Sequence, residues 1–510
     1  MAEEDAEKTN TRHVGVMHDS WRDGRSVALV VLLSAMVAWI PPAWGGTLVE
    51  THLYAKNTEQ AILSAESAAE AAPDDIDAQE IYIDVLMSSG LGSRAQRIYR
   101  DRVGSNPTNA NAQYLLGRAS VSGADAAISY ERALRIDPDH ARSHMGMGAV
   151  YTARGAHPDA ARAYFRSVNL DPSLSEAWLG LIRAELAMGL IEDAQALAKK
   201  GMRHVPEEPG LYLLIAELDP SDASRVLSGA VGRGIDDPRV LSALARALLE
   251  EGDADRAVVT ARHALAIDRS NAEATQVALF AAAVTSGTLD IDGYRGLGAA
   301  RDRQRTDKAA ALSLFDGLVA KYPKCALTWL GRSQLRVELG DTAGALSDSG
   351  SAARLAPGNT EIEAGHGMLL LSAEHYGDAA PYLMRASEAR PWDASLSLAF
   401  AKALDETDRD ADALKVLEVV HGMHPFDPRV TVAYGQLLVD NGRAEEAYQL
   451  IRKSMERVPD PRLGVALVMV ATAAERYGEA AQILERLAAQ TGRKSLAEHA
   501  ARLREREQAK

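Results

Sequence analysis

Cysteine is nearly absent from this chain of 510 residues, since Cys325 is the only one. A single thiol rules out an internal disulfide and any zinc or iron–sulfur site built from several cysteines. Aromatic residues are also scarce, at 5% against 47% for all hydrophobic residues, so the apolar content is mostly Ala, Leu and Val. This composition favours an architecture of helices packed on helices.

The chain also lacks an excess of basic residues and lacks recognisable catalytic motifs. Its formal net charge is −15, which favours solubility and argues against nucleic acid as a partner. No Gly-x-Ser-x-Gly motif and no Cys–His pairing suggest a nucleophile. A glycine-rich stretch over 293–298 does not follow a strand, so it does not predict a phosphate site. His140 and His144 have the spacing of a metal pair but no third ligand. We therefore predict a protein that is not an enzyme and that holds no cofactor or metal.

Long hydrophobic runs are rare as well, and the sequence contains one, over residues 26–45, behind a polar tail, 1–25. Its apolar centre is short for a membrane span and long enough for a signal segment. Ala43-Trp44-Gly45 resembles a cleavage site, whereas the long polar tail argues for an uncleaved anchor. A buried helix is the third alternative. Arg22 and Arg25 before the run predict that the N-terminus lies on the cytoplasmic side of the membrane. We expect a single-pass protein of a bacterial inner membrane with its repeats on the periplasmic side, or an exported periplasmic protein.

Prolines recur with a period of 34 residues, which indicates internal repeats. Small residues and glycines keep the same period, twelve and seventeen residues before the prolines. The prolines are Pro73 and Pro107; Pro138, Pro172 and Pro206; and Pro323, Pro357, Pro391, Pro425 and Pro459. The alanines are Ala61, Ala95, Ala126, Ala160, Ala194, Ala311, Ala345, Ala379, Ala413 and Ala447, and the glycines are Gly90, Gly155, Gly189, Gly340 and Gly442. The pattern predicts two amphipathic helices joined by a Gly turn, with the Ala allowing close approach and the Pro ending the pair.

The segment Ala141 to Pro172 resembles the tetratricopeptide repeat (TPR) family. It carries the residues of the family pattern at Met147-Gly148, Tyr151, Gly155, Ala160, Tyr164 and Pro172. The resemblance extends over nearly everything from Gly46 to Leu487. It implies an all-α fold, an α-solenoid in which antiparallel helix pairs form a right-handed superhelix, here preceded by one N-terminal hydrophobic helix.

Breaks in the period predict the domain organisation. We place an N-terminal TPR block over 46–284, an insertion that forms a flexible loop over 285–306, and a C-terminal TPR block over 307–493. Residues 494–510 are expected to form a capping helix whose first turn carries a capping box at Ser495 and Glu498. Within the N-terminal block, the repeat after Pro206 is short.

In TPR superhelices the first helix of each pair lines the groove. Six residues of the N-terminal block are predicted there, and arginines in a row suit carboxylate or phosphate groups. They are Tyr114, Arg118, Arg142, Arg183, Arg239 and Arg246. The alternative is a solvated face whose arginines pair with neighbouring acids such as Glu185 and Glu217. The C-terminal block offers Met368, Leu371, Val432, Val439, Asp405, Glu406 and Asp440.

The resemblance implies a non-catalytic scaffold or adaptor that binds segments or helices of other proteins in its groove. An anionic polymer is the second class of partner, and residues 26–45 would contact the membrane. An assembly or regulatory factor for cell-envelope polysaccharide or lipopolysaccharide is the alternative function. A TPR-fused transferase fits less well, because the repeats leave no room for a catalytic domain.

Overall fold

The protein is described by a computed structural model that covers residues 58–425, 427–457, 460–491 and 493–509. Within these ranges the chain forms 27 α-helices and one 3-10 helix, and no strand. The fold is an all-α solenoid of helix pairs, as predicted from the repeat. Contacts divide the described chain into an N-terminal unit that ends at Arg295 and a C-terminal unit that begins at Gly296.

The helices are numbered along the chain, and the division between the two units falls inside α15. The helices up to that point are α1 Thr58–Ala71, α2 Ile76–Ser88, α3 Gly92–Ser105, α4 Ala110–Arg118, α5 Gly123–Ile136, α6 Ala141–Ala153, α7 His157–Leu170, α8 Ser175–Ala187, α9 Ile191–His204, α10 Pro209–Leu218, the 3-10 helix Pro220–Asp222, α11 Ala223–Val231, α12 Pro238–Glu251, α13 Ala254–Ile267, α14 Ala272–Thr285 and α15 Ile291–Gln304.

The remaining helices resume the alternation of first and second helices at α17, after the additional helix, and end with the C-terminal helix α27. They are α16 Lys308–Lys321, α17 Ala326–Glu338, α18 Thr342–Leu355, α19 Thr360–Ser372, α20 Tyr376–Ala389, α21 Ala394–Asp405, α22 Asp410–Met423, α23 Pro428–Asp440, α24 Ala444–Arg457, α25 Pro461–Ala473, α26 Tyr477–Thr491 and α27 Lys494–Gln508. We call α2, α4, α6, α8, α10, α12, α14, α17, α19, α21, α23 and α25 the first helices.

The periodic glycines occupy the turn between the two helices of a pair, where the backbone is left-handed. All five predicted turn glycines have φ between +71° and +79°. Glycine adopts this conformation without steric cost. Three pairs without a turn glycine place Glu374, Asp408 or Glu475 there instead, with φ between +55° and +63°. The turn geometry is therefore kept even where the sequence signal is missing.

The periodic alanines lie where the two helices of a pair cross. Each of the ten is between 0% and 7% exposed. Glycines of the first helices make similarly close contacts with aromatic rings. A methyl group added at Gly180 would lie 2.4 Å from the Tyr164 ring, and one added at Gly146 would lie 2.5 Å from the Tyr130 ring. Small residues thus allow an interhelical approach that larger side chains would prevent.

The expected flexible loop over 285–306 is wrong, because most of it forms helix α15. Leu297 and Ala300 are fully buried in this helix, and the Leu318 side chain lies so close to Gly296 that an added methyl would approach it to 3.0 Å. Glycine lowers helix propensity but does not forbid a helix that packs through tertiary contacts. The twenty extra residues in the period therefore add one helix.

The C-terminal helix forms without the predicted capping box. Helix α27 begins at Lys494, so its N-cap is Arg493, and no side chain caps it. Ser495 consequently lies inside the first turn, where its hydroxyl cannot act as an N-cap. Ala500 and Leu503 bury the inner face of this helix.

The predicted polar tail and hydrophobic segment, 1–25 and 26–45, lie outside the described residues. Among the helices that are described, none combines the length and the apolar character that a membrane span requires. The membrane segment stays a prediction.

Two glycines on the adjacent helices α16 and α17 test the packing argument. Gly331→Ala should destabilise the C-terminal unit by about 1–3 kcal/mol, because the new methyl would lie 2.5 Å from the buried Phe315 ring. Gly317→Ala on the adjacent helix meets nothing within 4 Å, and it should stabilise by about 0.5–1 kcal/mol. Denaturant unfolding with hydrogen exchange of the α17 amides measures both changes. Equal effects of the two substitutions would contradict the close-crossing argument.

Candidate partner-binding surfaces

All six predicted groove residues lie on one equivalent face of the first helices. Arg142 and Arg239 take the second position of their helices, Tyr114 the fifth, and the other three arginines the ninth. These positions share one side of an α-helix. Successive first helices pack against each other in this part of the chain, at α2–α4–α6–α8 and at α10–α12–α14. The six side chains therefore lie on two runs of stacked first helices within the N-terminal unit, α2 to α8 and α10 to α14.

Three of the six residues belong to a network of two neighbouring ion-pair clusters with acids from other first helices, one around Arg118 and one around Glu80. The network consists of Asp77, Glu80 and Asp84 of α2, Tyr114 and Arg118 of α4, Arg142 of α6 and Glu176 of α8. We call it the carboxylate–arginine network. Its seven side chains come from four successive first helices. The network therefore links helix pairs that are not consecutive in the chain, such as those that contain α4 and α8.

Arg118 is the centre of this network. Its guanidinium donates to Asp84 at 2.7 and 3.2 Å and to Glu176 at 2.9 and 3.0 Å, so both carboxylates are held in two-point contacts. The Arg118 side chain is 16% exposed and that of Asp84 is 8% exposed. Charge-assisted contacts of this geometry are the strong form of the hydrogen bond.

Arg142 and Tyr114 meet at Glu80. Arg142 donates to Glu80 at 2.6 Å and to Asp77 at 2.5 Å. The Tyr114 hydroxyl donates to the other oxygen of Glu80, and the Tyr114 ring is almost completely buried. Tyr114 is therefore part of the packing between first helices, and its ring is not available to a partner.

The network is short of positive charge and strongly desolvated. Four carboxylates face two guanidinium groups. Burial, helped by the charges of Glu176 and Glu80, raises the pKa of Asp84 to about 7, because the loss of hydration outweighs the attraction of Arg118. Because the acids of the chain itself occupy Arg118 and Arg142, this part of the face does not present cations to an external anion.

Arg239 and Arg246 are also held by acids of the chain, whereas Arg183 is not. Arg239 pairs with Asp237, the N-cap of its own helix, at 2.6 Å. Arg246 bonds Glu273 of the next first helix at 2.9 Å. Arg183 is exposed and makes no hydrogen bond or ion pair within the described residues. The four bonded arginines thus pair mostly with acids on other first helices. The predicted neighbours Glu185 and Glu217 are not among them.

The equivalent face of the C-terminal unit is different, because it exposes apolar side chains. On α25, Val465 and Met469 take the fifth and ninth positions and are 50% and 48% exposed. Val432 takes the fifth position on the adjacent helix α23 and is half-buried. Val465 and Met469 were not among the predicted residues. Val465 could have been found from the sequence because it takes the same helix position as Val432 one repeat later, and Met469 because it takes the ninth position, as Arg118 and Arg183 do.

Not every predicted residue of the C-terminal block lies on this face. Leu371 is only 5% exposed and belongs to a core cluster with Leu370 and Leu383. Met368 packs against the same cluster while partly exposed. Leu371 is therefore a core residue, since helix α19 turns it towards its partner helix.

Acidic side chains accompany the apolar ones. Asp405 and Asp440 end the first helices α21 and α23. Burial raises the pKa of Asp405, and the nearby charges of Asp410, Glu406 and Asp440 raise it further. Lys402 pairs with Glu406 at 2.9 Å. The face therefore combines exposed apolar groups with a local excess of carboxylates.

The histidine pair does not converge on a metal site. The two ring nitrogens of His140 form hydrogen bonds with the Ser143 hydroxyl at 2.8 Å and with the Asn111 side-chain oxygen at 2.7 Å. The His144 ring contacts the Pro138 carbonyl at 3.0 Å. In the part of the chain that the structure describes, no group of three or more His, Cys, Asp or Glu side chains has metal-binding geometry.

Removing the central arginine tests the carboxylate–arginine network. Arg118→Ala should destabilise the N-terminal unit by about 3 kcal/mol, because Asp84 and Glu176 would remain close together without a counter-ion. Arg183→Ala, at the same helix position but exposed, should change stability by less than about 0.5 kcal/mol. Hydrogen exchange of the α4 and α8 amides gives both values. A cost for Arg118→Ala as small as that of the control would show that the network does not stabilise the repeats.

Comparisons with known proteins confirm the repeats. A tetratricopeptide-repeat family model matches residues 303–460, and a second one matches residues 122–175. A search of the curated proteins finds no significant match.

Solved structures that are similar to parts of this chain include several repeat proteins. YrrB, a TPR protein with an unusual peptide-binding site, is 18% identical with a TM-score of 0.32, over 37% of this chain and 97% of its own. The Naa15/Naa10 complex bound to HypK-THB is 14% identical with a TM-score of 0.34, over 90% and 77%. A thermophilic TPR protein of Thermus thermophilus is 21% identical with a TM-score of 0.28, over 33% and 95%.

The chain therefore carries tetratricopeptide repeats. Stacked repeats of this class build extended surfaces that bind other proteins, and they generally act without catalysing a reaction. The class supports a protein-interaction scaffold.

Proposed function

We propose that this protein is a non-catalytic scaffold that binds a segment of another protein on the first helices of its C-terminal unit. The observation that carries the proposal is the exposed apolar pair on α25, Val465 and Met469, next to Val432 on α23. Exposed apolar side chains that lie together mark surfaces for protein partners. Asp405 and Asp440, which end the first helices α21 and α23 of the same unit, favour a partner segment that is both apolar and basic.

An anionic polymer is supported less well. Four of the five predicted groove arginines already bond carboxylates of this chain. The exchange of one set of carboxylates for another yields little net free energy, since the arginines are not free beforehand. We therefore favour a protein segment over a polyanion as the partner.

Site-specific photo-crosslinking tests the proposed surface. p-Benzoylphenylalanine in place of Met469 should give a discrete adduct with a protein partner in cells. In place of Val419, which is 60% exposed on the second helix α22 of the same unit, it should give none. Val465→Glu combined with the probe at Met469 should remove the adduct, because a charge would replace the apolar contact. Adducts of equal yield at both positions, or none at Met469, would refute this surface.

We also propose that residues 26–45 anchor the protein in a bacterial inner membrane with the repeats outside. The uncharged run and the preceding Arg22 and Arg25 support this topology. Protease added to intact spheroplasts should then digest the repeats. If the repeats stay protected until detergent is added, they lie inside the cell and the proposed topology is wrong.

A further inference from the structure

A cavity of about 210 Å³ opens in the N-terminal unit among helices α10, α11 and α12. Its walls are aliphatic and its mouth is charged. The walls are Leu213 and Ala216 of α10, Ala223 and Leu227 of α11, and Ala243 and Ala247 of α12, and the mouth carries Glu217, Pro220, Arg246 and Glu250.

The cavity arises from the shortened repeat. Helices α10 and α11 have 10 and 9 residues, whereas α8 and α9 before them have 13 and 14. The 3-10 turn Pro220–Asp222 replaces the missing end of α10. Helix α12 keeps its full 14 residues. The missing turn therefore leaves a gap between α12, at Ala243 and Ala247, and the shortened helices α10 and α11.

The size and lining of the cavity suit one apolar side chain. Cavities of about 150 Å³ lined by aliphatic groups accept benzene, whereas small-molecule sites are usually larger than about 300 Å³. Leu227, Ala243 and Ala247 are between 1% and 7% exposed, so the walls are already screened from water. No polar wall group would need to lose hydration when an apolar group enters.

The charges at the mouth favour a cation beside that apolar group. Arg246 donates to Glu273 at 2.9 Å and lies 3.9 Å from Glu250. Glu217 is exposed and has no hydrogen bond or ion pair with any residue that the structure describes. Among the residues that line the mouth, Glu217 and Glu250 thus accompany one guanidinium, that of Arg246, which bonds Glu273, and an incoming Lys or Arg would add positive charge beside the two acids.

We infer that this cavity receives one large apolar side chain of a basic segment of a partner protein, with a Lys or Arg of that segment paired with Glu217 and Glu250. The inference rests on the proposed function, because it assumes that the repeats bind protein segments. It adds a second contact point, in the other unit, and specifies its chemistry. Specificity comes from the depth of the cavity for the apolar group and from the acids at its mouth for the neighbouring cation.

Defined peptides test this inference on the full chain. The probe is Lys-Gly-Phe-Gly-Lys, and the controls are Lys-Gly-Ala-Gly-Lys and Glu-Gly-Phe-Gly-Glu. Binding is followed through the alanine methyl resonances of Ala243 and Ala247 in labelled protein. The probe should shift both resonances, and each control should bind at least roughly tenfold more weakly, because it lacks either the apolar group or the cations.

Substitutions at the wall and at the mouth separate cavity binding from binding elsewhere. Ala247→Leu fills the cavity and should abolish the shift at Ala243. Glu217→Gln leaves the core untouched and should weaken the probe several-fold, while Glu207→Gln, at an exposed acid outside the cavity, should not. No shift with the probe at millimolar concentration, or unchanged affinity in Ala247→Leu and Glu217→Gln, would overturn the inference. Because the crosslink at Met469 lies in the other unit, its presence or absence reports on the proposed function independently.

Discussion

Close approach of the two helices in each pair is the constraint on which this structure depends. Neither helix of a pair can bury its apolar face alone, so the pair must be close enough for a shared core and must stack on its neighbours. The buried alanines allow that distance within a pair, and Gly146 and Gly180 allow a ring of the preceding pair to pack against the next first helix. A residue with left-handed backbone conformation then forms the turn that leads from the first helix of a pair into the second. Every candidate binding surface is presented on the helices that this arrangement holds in place.

The same constraint explains which features the sequence predicts. Small residues at crossings and glycines at turns act locally, so they recur with the period and can be read directly from it. The helical state of 291–304 could not be read in this way, because its glycines lower helix propensity and only tertiary contacts of residues such as Leu297 stabilise it. Glu374 and Asp408 also occupy left-handed turns, and because they are not glycines the sequence gives no signal for those turns.

The candidate surfaces were predictable as positions but not as chemistry. The repeat period alone places Arg118 and Arg142 on equivalent faces of their first helices. Their partners come from other repeats, since Glu176 is 58 residues from Arg118 and Glu80 is 62 residues from Arg142. Contacts between residues so far apart in the sequence depend on how successive repeats stack. A row of arginines that resembles an anion site in the sequence is therefore an internal ion-pair network in the folded chain.

Two kinds of departure from the repeat thus have different consequences. Charged residues of α2, α4, α6 and α8 bond one another, so that part of the face offers few groups to a partner. The shortened pair α10–α11 leaves a cavity with aliphatic walls beside Glu217, which makes no ion pair with any residue that the structure describes. In a solenoid each pair supports only its neighbours, so a missing turn costs stability locally while the rest of the array stays folded. A shortened repeat can for that reason be retained where its gap binds something, and this makes irregular repeats better places to look for specific contacts than regular ones.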